Sequence, residues 1–295
     1  MTRLRLPGRL SDPRQRRRAA YVLPTLFTAG NLYLGFLAIL RTIEGVLWTV
    51  AGNVGINPHF EFAAKVIGIA VLLDGLDGRI ARMTNTVSDF GREMDSLADV
   101  ITFCLAPAVL AFAWGAYFVE NQTVGIMREH ILRAASFVAF LFLLCGAARL
   151  ARFNVQVNPQ PTNPGRPNRK YFVGLPTPAA ASLVAAVVYA ADSVPVRAWY
   201  FAVIWIATLG MTSFLMVSTW RYRSFKDFNL LSPRSFKSVI LSGILIYMIW
   251  NYSQPVLLAL SVAYVASGVI IRVGGIVRRR LRSTPPPPHP EHQVG

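Results

Sequence analysis

Charge, histidine and cysteine are all scarce in this chain. Only 15% of its 295 residues are Asp, Glu, Lys or Arg, whereas 54% are hydrophobic. That leaves too little polar surface to coat a soluble domain, and the apolar runs reach membrane-spanning length, so an all-α polytopic membrane protein is expected. The two cysteines, Cys104 and Cys145, fall in separate apolar runs. They exclude a disulfide framework or cysteine metal site and point to simple packing. Of the histidines, His59 and His130 fall in near-neutral loops and His289 and His292 in the tail, all away from the acidic cluster described below. No cleavable signal peptide is expected, because the first apolar run follows a long Arg-rich leader and continues to full spanning length.

Negative charge is scarcer still: 14 acidic residues face 30 basic ones, for a formal net charge of +16. The excess is concentrated. Arg3, Arg5, Arg9, Arg14, Arg16, Arg17 and Arg18 crowd the leader, and Arg278, Arg279, Arg280 and Arg282 the tail. In a chain with this many spans such clusters read as positive-inside anchors, attracted to anionic membrane lipids and not to nucleic acid. Eight spans are expected, at about 22–41, 61–83, 93–118, 131–150, 175–192, 198–219, 237–252 and 255–272. The connections alternate between strongly basic and near neutral, which places both termini on the cytoplasmic side. The chain's length and prokaryote-like economy resemble those of an inner (cytoplasmic) membrane protein. Residues 1–20 form a basic leader, 21–275 a transmembrane domain, and 276–295 a basic tail with the run Pro285–Pro288. Trp48, Trp199, Trp220 and Trp250 fall near the expected span ends, as interfacial aromatic belts predict.

Against this apolar background four carboxylates stand out. The chain reads D-G-L-D-G-R-I-A-R from Asp74 to Arg82 and G-R-E-M-D-S-L-A-D from Gly91 to Asp99. Asp74 and Asp77 are spaced i,i+3, and Asp95 and Asp99 i,i+4, so on helices each pair shares a face. Two facing helices would gather four carboxylates that cannot all stay ionised without a cation, and hard Mg²⁺ or Mn²⁺ suits an all-oxygen site. Gly75 and Gly78 leave room for a ligand or a neighbouring helix to approach the backbone, and Arg82 offers a fork suited to phosphate oxygens. Together these residues predict a site for a diphosphate-containing substrate on the cytoplasmic side. Asp89 and Glu93, off the pattern, are expected to be solvated turn residues. Lys65, deep in the second run, is expected to snorkel or to pair with a carboxylate.

The spacing D-x2-D-G-x2-A-R-x8-G-x3-D-x3-D resembles the signature of the CDP-alcohol phosphotransferase family. Asp74, Asp77, Gly78, Ala81, Arg82, Gly91, Asp95 and Asp99 fill every position. The resemblance implies a six-helix core with a cytoplasmic active site and a membrane dimer. Two divalent ions, Mg²⁺ or Mn²⁺, would be held by Asp74, Asp77 and Asp95, with Asp99 as general base and possible further ligand. Gly78, Ala81, Arg82 and Gly91 would lie against the nucleotide and its diphosphate. Four further segments are similar to the branch that transfers phosphatidyl groups from CDP-diacylglycerol to L-serine. They are L-P-T-L-F-T-A-G-N-L from Leu23, A-R-L-A-R-F-N from Ala148, Y-F-V-G-L-P-T-P-A-A-A from Tyr171 and L-M-V-S-T-W-R-Y-R-S-F-K from Leu215.

In that branch two C-terminal helices are added to the core. Thr25 stands here where it usually has Asn, leaving Thr28 and Asn31 to contact the nucleotide. Serine carries a carboxylate, so its pocket needs a cation. Arg149, Arg152, Arg221 and Arg223, at the cytoplasmic ends of two spans, are the candidates, against their plain role as anchors. Gly174-Leu175-Pro176 reads as a tight turn into a helix. Two other readings stand beside this one. The same chemistry could use glycerol 3-phosphate, an inositol phosphate or choline as acceptor, or the acidic cluster could bind cations in a transporter.

Overall fold

The computed structural model describes residues 13–84, 89–120, 125–155, 171–223 and 236–281. Its elements in chain order are α1 (Pro13–Val50), α2 (Pro58–Thr84), α3 (Asp89–Asp99), a π-helical segment (Val100–Leu105), α4 (Ala106–Gly115), α5 (Gly125–Val155), β1 (Tyr171–Val173), α6 (Thr177–Ala190), α7 (Trp199–Val217), β2 (Arg221–Arg223), α8 (Phe236–Asn251) and α9 (Ser253–Leu281). Because α3, the π segment and α4 follow without a break, they form one rod. Among the described residues the helices therefore make eight rods, one at each expected span. Five stretches are long and apolar enough to cross a membrane: Leu26–Val50, Phe90–Gly115, Met127–Val155, Trp199–Val217 and Ser253–Arg272. The chain is a multi-pass, helical membrane protein.

Each connection has a local cause. Asn57 caps α2, its Oδ1 accepting from the backbone N–H groups of His59 (3.0 Å) and Phe60 (3.2 Å), with Pro58 at the first helical position. The same side chain donates to the Gly45 carbonyl (2.8 Å) and Thr49 Oγ1 (2.9 Å), tying α2 back to α1. Further along, Gly174 takes a left-handed φ of +77°. A Cβ there would sit 2.5 Å from the Met216 carbonyl oxygen, so the turn before α6 admits only glycine. Pro176 then caps α6, as the sequence suggested. Left-handed Asp192 and Ser193 (φ 52° and 55°) follow its end. Bracketed by these turns, α6 has only 14 residues and is shorter than the expected span. Its buried alanines, Ala180, Ala181, Ala185 and Ala186, let it pack closely against α2 and α9.

The core is built the same way, by small residues meeting large ones. A Cβ on Gly45 would lie 2.6 Å from the Phe60 ring, and one on Gly146 2.3 Å from Cys104 Sγ. At Gly115 it would lie 2.1 Å from the Trp205 ring. That indole donates to the Ala111 carbonyl (3.0 Å) and meets Trp114 edge-on at 5.3 Å. Gly115→Val should therefore overpack the α4–α7 contact and cost about 1–3 kcal/mol, read as a lower unfolding temperature in detergent. Gly210→Ala, whose Cβ would meet only an ordinary contact at 3.7 Å, should leave that temperature unchanged or raise it.

The cysteines are free, with Cys104 buried, as packing residues should be. Lys65 pairs with Glu61 one turn before it and lies 5.2 Å over the Tyr189 ring. Trp48, Trp199 and Trp250 lie at or near ends of α1, α7 and α8, and Trp220 just after α7. One element was not expected. β1 and β2 pair antiparallel with Phe172 opposite Tyr222, joining the loop before α6 to the loop after α7. The Gly174 N–H donates to the Trp220 carbonyl (2.7 Å) and the Leu175 N–H to the Leu215 carbonyl (2.9 Å), continuing the clasp. Three-residue strands carry too little pattern to be read from sequence.

Candidate active site

The acidic motif folds as its spacing requires. Asp74 lies toward the end of α2, and Asp95 and Asp99 lie one turn apart on α3. One carboxylate oxygen from each of the three lies within 4.8 Å of the other two. Asp74 and Asp95 are half-buried, and the buried Oδ1 of Asp95 has no hydrogen-bond partner. At 4.8 Å and an effective dielectric of about 20, two ionised carboxylates repel by roughly 3–4 kcal/mol. Three together call for a counter-charge, and an all-carboxylate set with an unpartnered oxygen fits a hard divalent ion.

Asp77, Gly78, Ala81 and Arg82 occupy the last turns of α2, but their side chains lie outside the described residues. The same is true of the side chains of Arg221 and Arg223 on β2. Gly91 sits in the first turns of α3. Among the described residues, a Cβ on Gly75 would meet nothing within 4 Å, so none of them packs against that glycine. Glu93 is a correction: it lies within helix α3, exposed but not in a turn. Asp89 likewise begins that helix.

Directly after Asp99 the helix widens into the π segment. Such turns in α-helices are frequent at functional sites. Here the segment is pressed against α1: a Cβ on Gly35 would lie 2.7 Å from Thr102 Cα. The Thr102 hydroxyl donates to the Asn31 carbonyl (2.9 Å). Thr28 and Asn31 are both buried, Asn31 completely, and both amide atoms of Asn31 are buried without a hydrogen-bond partner. A buried amide left unpaired costs about 1–3 kcal/mol, so Asn31 has hydrogen-bonding capacity to spare beside the π segment.

The four arginine candidates separate. Arg152 is exposed, whereas Arg149 is 8% exposed. The Arg149 guanidinium lies 4.6 Å over the Phe153 ring, and its Nε has no partner. Gly146, one turn earlier, packs on Cys104 of the π segment. Arg149 and Asp99 both lie within electrostatic reach of that thiol.

Sequence reasoning missed several residues around this site. Asn154 donates to Ser96 Oγ (2.9 Å) and reaches Glu93 (3.4 Å), fastening the end of α5 to α3 beside the aspartates. Tyr222 is completely buried, its hydroxyl has no partner, and its ring lies 5.8 Å from that of Tyr264. Burial, and next the neighbouring Tyr264, push the Tyr222 pKa up to about 12, so it is a neutral proton donor at ordinary pH. The A-R-L-A-R-F-N segment contains Asn154, and L-M-V-S-T-W-R-Y-R-S-F-K contains Tyr222, so the signal was present but had been assigned to arginines alone.

Residues 21–211 match the family described as CDP-alcohol phosphatidyltransferase. The chain is 36% identical over 206 residues to a CDP-diacylglycerol–serine O-phosphatidyltransferase of Helicobacter pylori, covering 70% of this chain and 73% of that protein. A protein of the same name from Bacillus subtilis is 30% identical over 204 residues, covering 69% of this chain and 91% of its own length. An archaetidylserine synthase of Methanothermobacter thermautotrophicus is 35% identical over 161 residues, 54% of each chain.

Proposed function

The chain belongs to the CDP-alcohol phosphatidyltransferase family, and on that footing we propose that it transfers the phosphatidyl group of CDP-diacylglycerol to the hydroxyl of L-serine, giving phosphatidylserine and CMP. The observation that carries the reading is the convergence of Asp74, Asp95 and Asp99, the last of them directly before the π segment. The relatives named for serine transfer support the choice of acceptor.

In this reading Asp74, Asp77 and Asp95, with Asp99 beside them, hold two divalent ions, Mg²⁺ or Mn²⁺. When bound, these would neutralise the diphosphate and polarise the phosphorus. Asn31 and Thr28 from α1 and Gly78, Ala81, Arg82 and Gly91 from the motif take the nucleotide and its diphosphate. Asp99 accepts the proton from the serine hydroxyl, and the serine oxygen bonds to the phosphorus bearing diacylglycerol. The bond from that phosphorus to the bridging oxygen breaks, and CMP departs with the electron pair. Arg149 receives the serine carboxylate in a desolvated setting where one guanidinium pairs two oxygens. Catalysis is thus mostly positioning and electrostatics. The basic connections support a cytoplasmic site, with both termini on that face, in a homodimer.

The test is CMP release from CDP-diacylglycerol by the purified protein in detergent with Mn²⁺ or Mg²⁺, offering serine, glycerol 3-phosphate, inositol phosphate and choline separately. Release that requires serine and metal is expected. Release with another acceptor alone would keep the family chemistry and overturn the acceptor. Ion flux in vesicles without CMP release under any condition would favour a transporter.

A further inference from the structure

The family match ends at residue 211, yet Tyr264 beyond it lies within electrostatic reach of Arg149, and its ring meets that of Tyr222. We propose that these later elements complete that pocket: Tyr264 of α9 holds the Arg149 guanidinium in place for the acceptor's carboxylate, and the buried Tyr222 hydroxyl of β2 is a further polar contact for the same acceptor. The inference rests on the serine reading above and deepens it by naming residues that select the amino-acid acceptor.

The packing brings the groups together. Tyr264 is half-buried on α9, and its hydroxyl and the Arg149 guanidinium act electrostatically on each other. On its other side Tyr264 meets the Tyr222 ring, tilted by 40°. Gly268, four residues on and so on the same face of α9, leaves no space there: a Cβ would lie 2.2 Å from the Tyr222 ring. Helix α9 is therefore pressed onto Tyr222, with Tyr264 and Gly268 both against the ring. Asp99, Cys104, Arg149 and Tyr264 lie within electrostatic reach of one another in turn, and the Tyr264 ring meets that of Tyr222, which closes the chain.

Two members of that chain are buried polar groups that nothing pairs, the Arg149 Nε and the Tyr222 hydroxyl. Groups of this kind are normally satisfied, so the pair points to a small polar ligand. A serine molecule fits the demand. Its hydroxyl and carboxylate stand on adjacent carbons, so one can reach Asp99 while the other reaches Arg149. Neutral tyrosine hydroxyls can donate to its carboxylate or accept from its ammonium group. Choline has no carboxylate to give Arg149, and a phosphorylated acceptor would want more cations than the described residues gather here. The shared diphosphate chemistry would then reside within 21–211, and acceptor choice partly beyond it.

The experiment follows CMP release by the full-length protein at saturating CDP-diacylglycerol and Mn²⁺ while serine is varied. Tyr264→Phe keeps the ring and removes the hydroxyl. Losing one hydrogen bond to a charged group should raise the KM for serine about ten- to a hundredfold with kcat within about twofold, and leave the KM for CDP-diacylglycerol unchanged. Tyr222→Phe should shift the serine KM in the same direction. An unchanged serine KM in Tyr264→Phe overturns the proposal, as does a loss spread equally over kcat and CDP-diacylglycerol affinity, which would mark a purely structural role. Arg149→Lys separates this from the underlying reading. If it raises the serine KM and Tyr264→Phe does not, only the tyrosine proposal fails. If serine supports no release by the unaltered protein, the serine reading fails first.

Discussion

Replacing Asp99 with asparagine is expected to lower serine-dependent CMP release by about 10²–10⁴-fold, the range over which a general base usually acts. The amide has nearly the same shape but cannot take the proton from the serine hydroxyl. Position singles out Asp99 among the clustered aspartates. It is the last residue before the π segment, and it shares with Arg149 an electrostatic influence on Cys104, which places it toward the proposed acceptor side. Asp74, on α2, comes from the other half of the motif. Since Asp99 also belongs to the carboxylate cluster, the measurement should be made at saturating Mn²⁺, so that weaker ion binding is not read as lost proton transfer. The binding of CDP-diacylglycerol, measured separately, should persist. A rate within about threefold of the unaltered protein under those conditions would assign proton transfer elsewhere.

How much of this was legible in the sequence depends on the length scale of each signal. The aspartates could be placed from spacing alone, because i,i+3 and i,i+4 fix a shared helical face whatever surrounds it. The helical rods followed from apolar run length, and Asn57 and Gly174 behave as local turn chemistry dictates. What escaped was tertiary. Nothing in the run from Val100 to Leu105 announces a π segment, which is fixed by the close approach of Gly35 and the hydroxyl of Thr102. The clasp between β1 and β2 joins residues some fifty positions apart through strands too short to show alternation. Glu93 is expected in a turn because it lies off the motif's pattern, although it sits within α3 and accepts from Asn154 at the end of α5 (3.4 Å). The arginines illustrate the remaining gap. Arg149 and Arg152 look equivalent in A-R-L-A-R-F-N and, three residues apart, lie only about 60° from each other around the helix, so their different burial is set by what packs on α5 and not by their spacing.

The carboxylate cluster should also make activity and stability respond in opposite senses to one substitution. Without a divalent ion, three carboxylates whose oxygens lie within 4.8 Å of one another repel, and the half-buried Asp95 carries an oxygen with no partner. Asp95→Asn removes one charge from that set. In chelator, the variant is therefore expected to unfold at the same temperature as the unaltered protein or higher. Adding Mn²⁺ should reverse the order. An ion that binds only the folded state stabilises it by about 2.7 kcal/mol at a hundred times its Kd, and the variant, lacking a ligand, binds it less tightly. Its half-maximal Mn²⁺ concentration for CMP release should rise by at least about 10–100-fold, the loss typical even of residues that only support a metal ligand. Chelation of the unaltered protein should abolish release, and Mg²⁺ or Mn²⁺ restore it. Thermal unfolding with and without Mn²⁺, run beside the activity titration, checks both halves. If the variant unfolds at lower temperature than the unaltered protein in chelator, with an unchanged Mn²⁺ midpoint, then Asp95 serves packing and not the ion. The opposite crossing would mean that these carboxylates are held together against their own repulsion because the reaction needs the cation they attract.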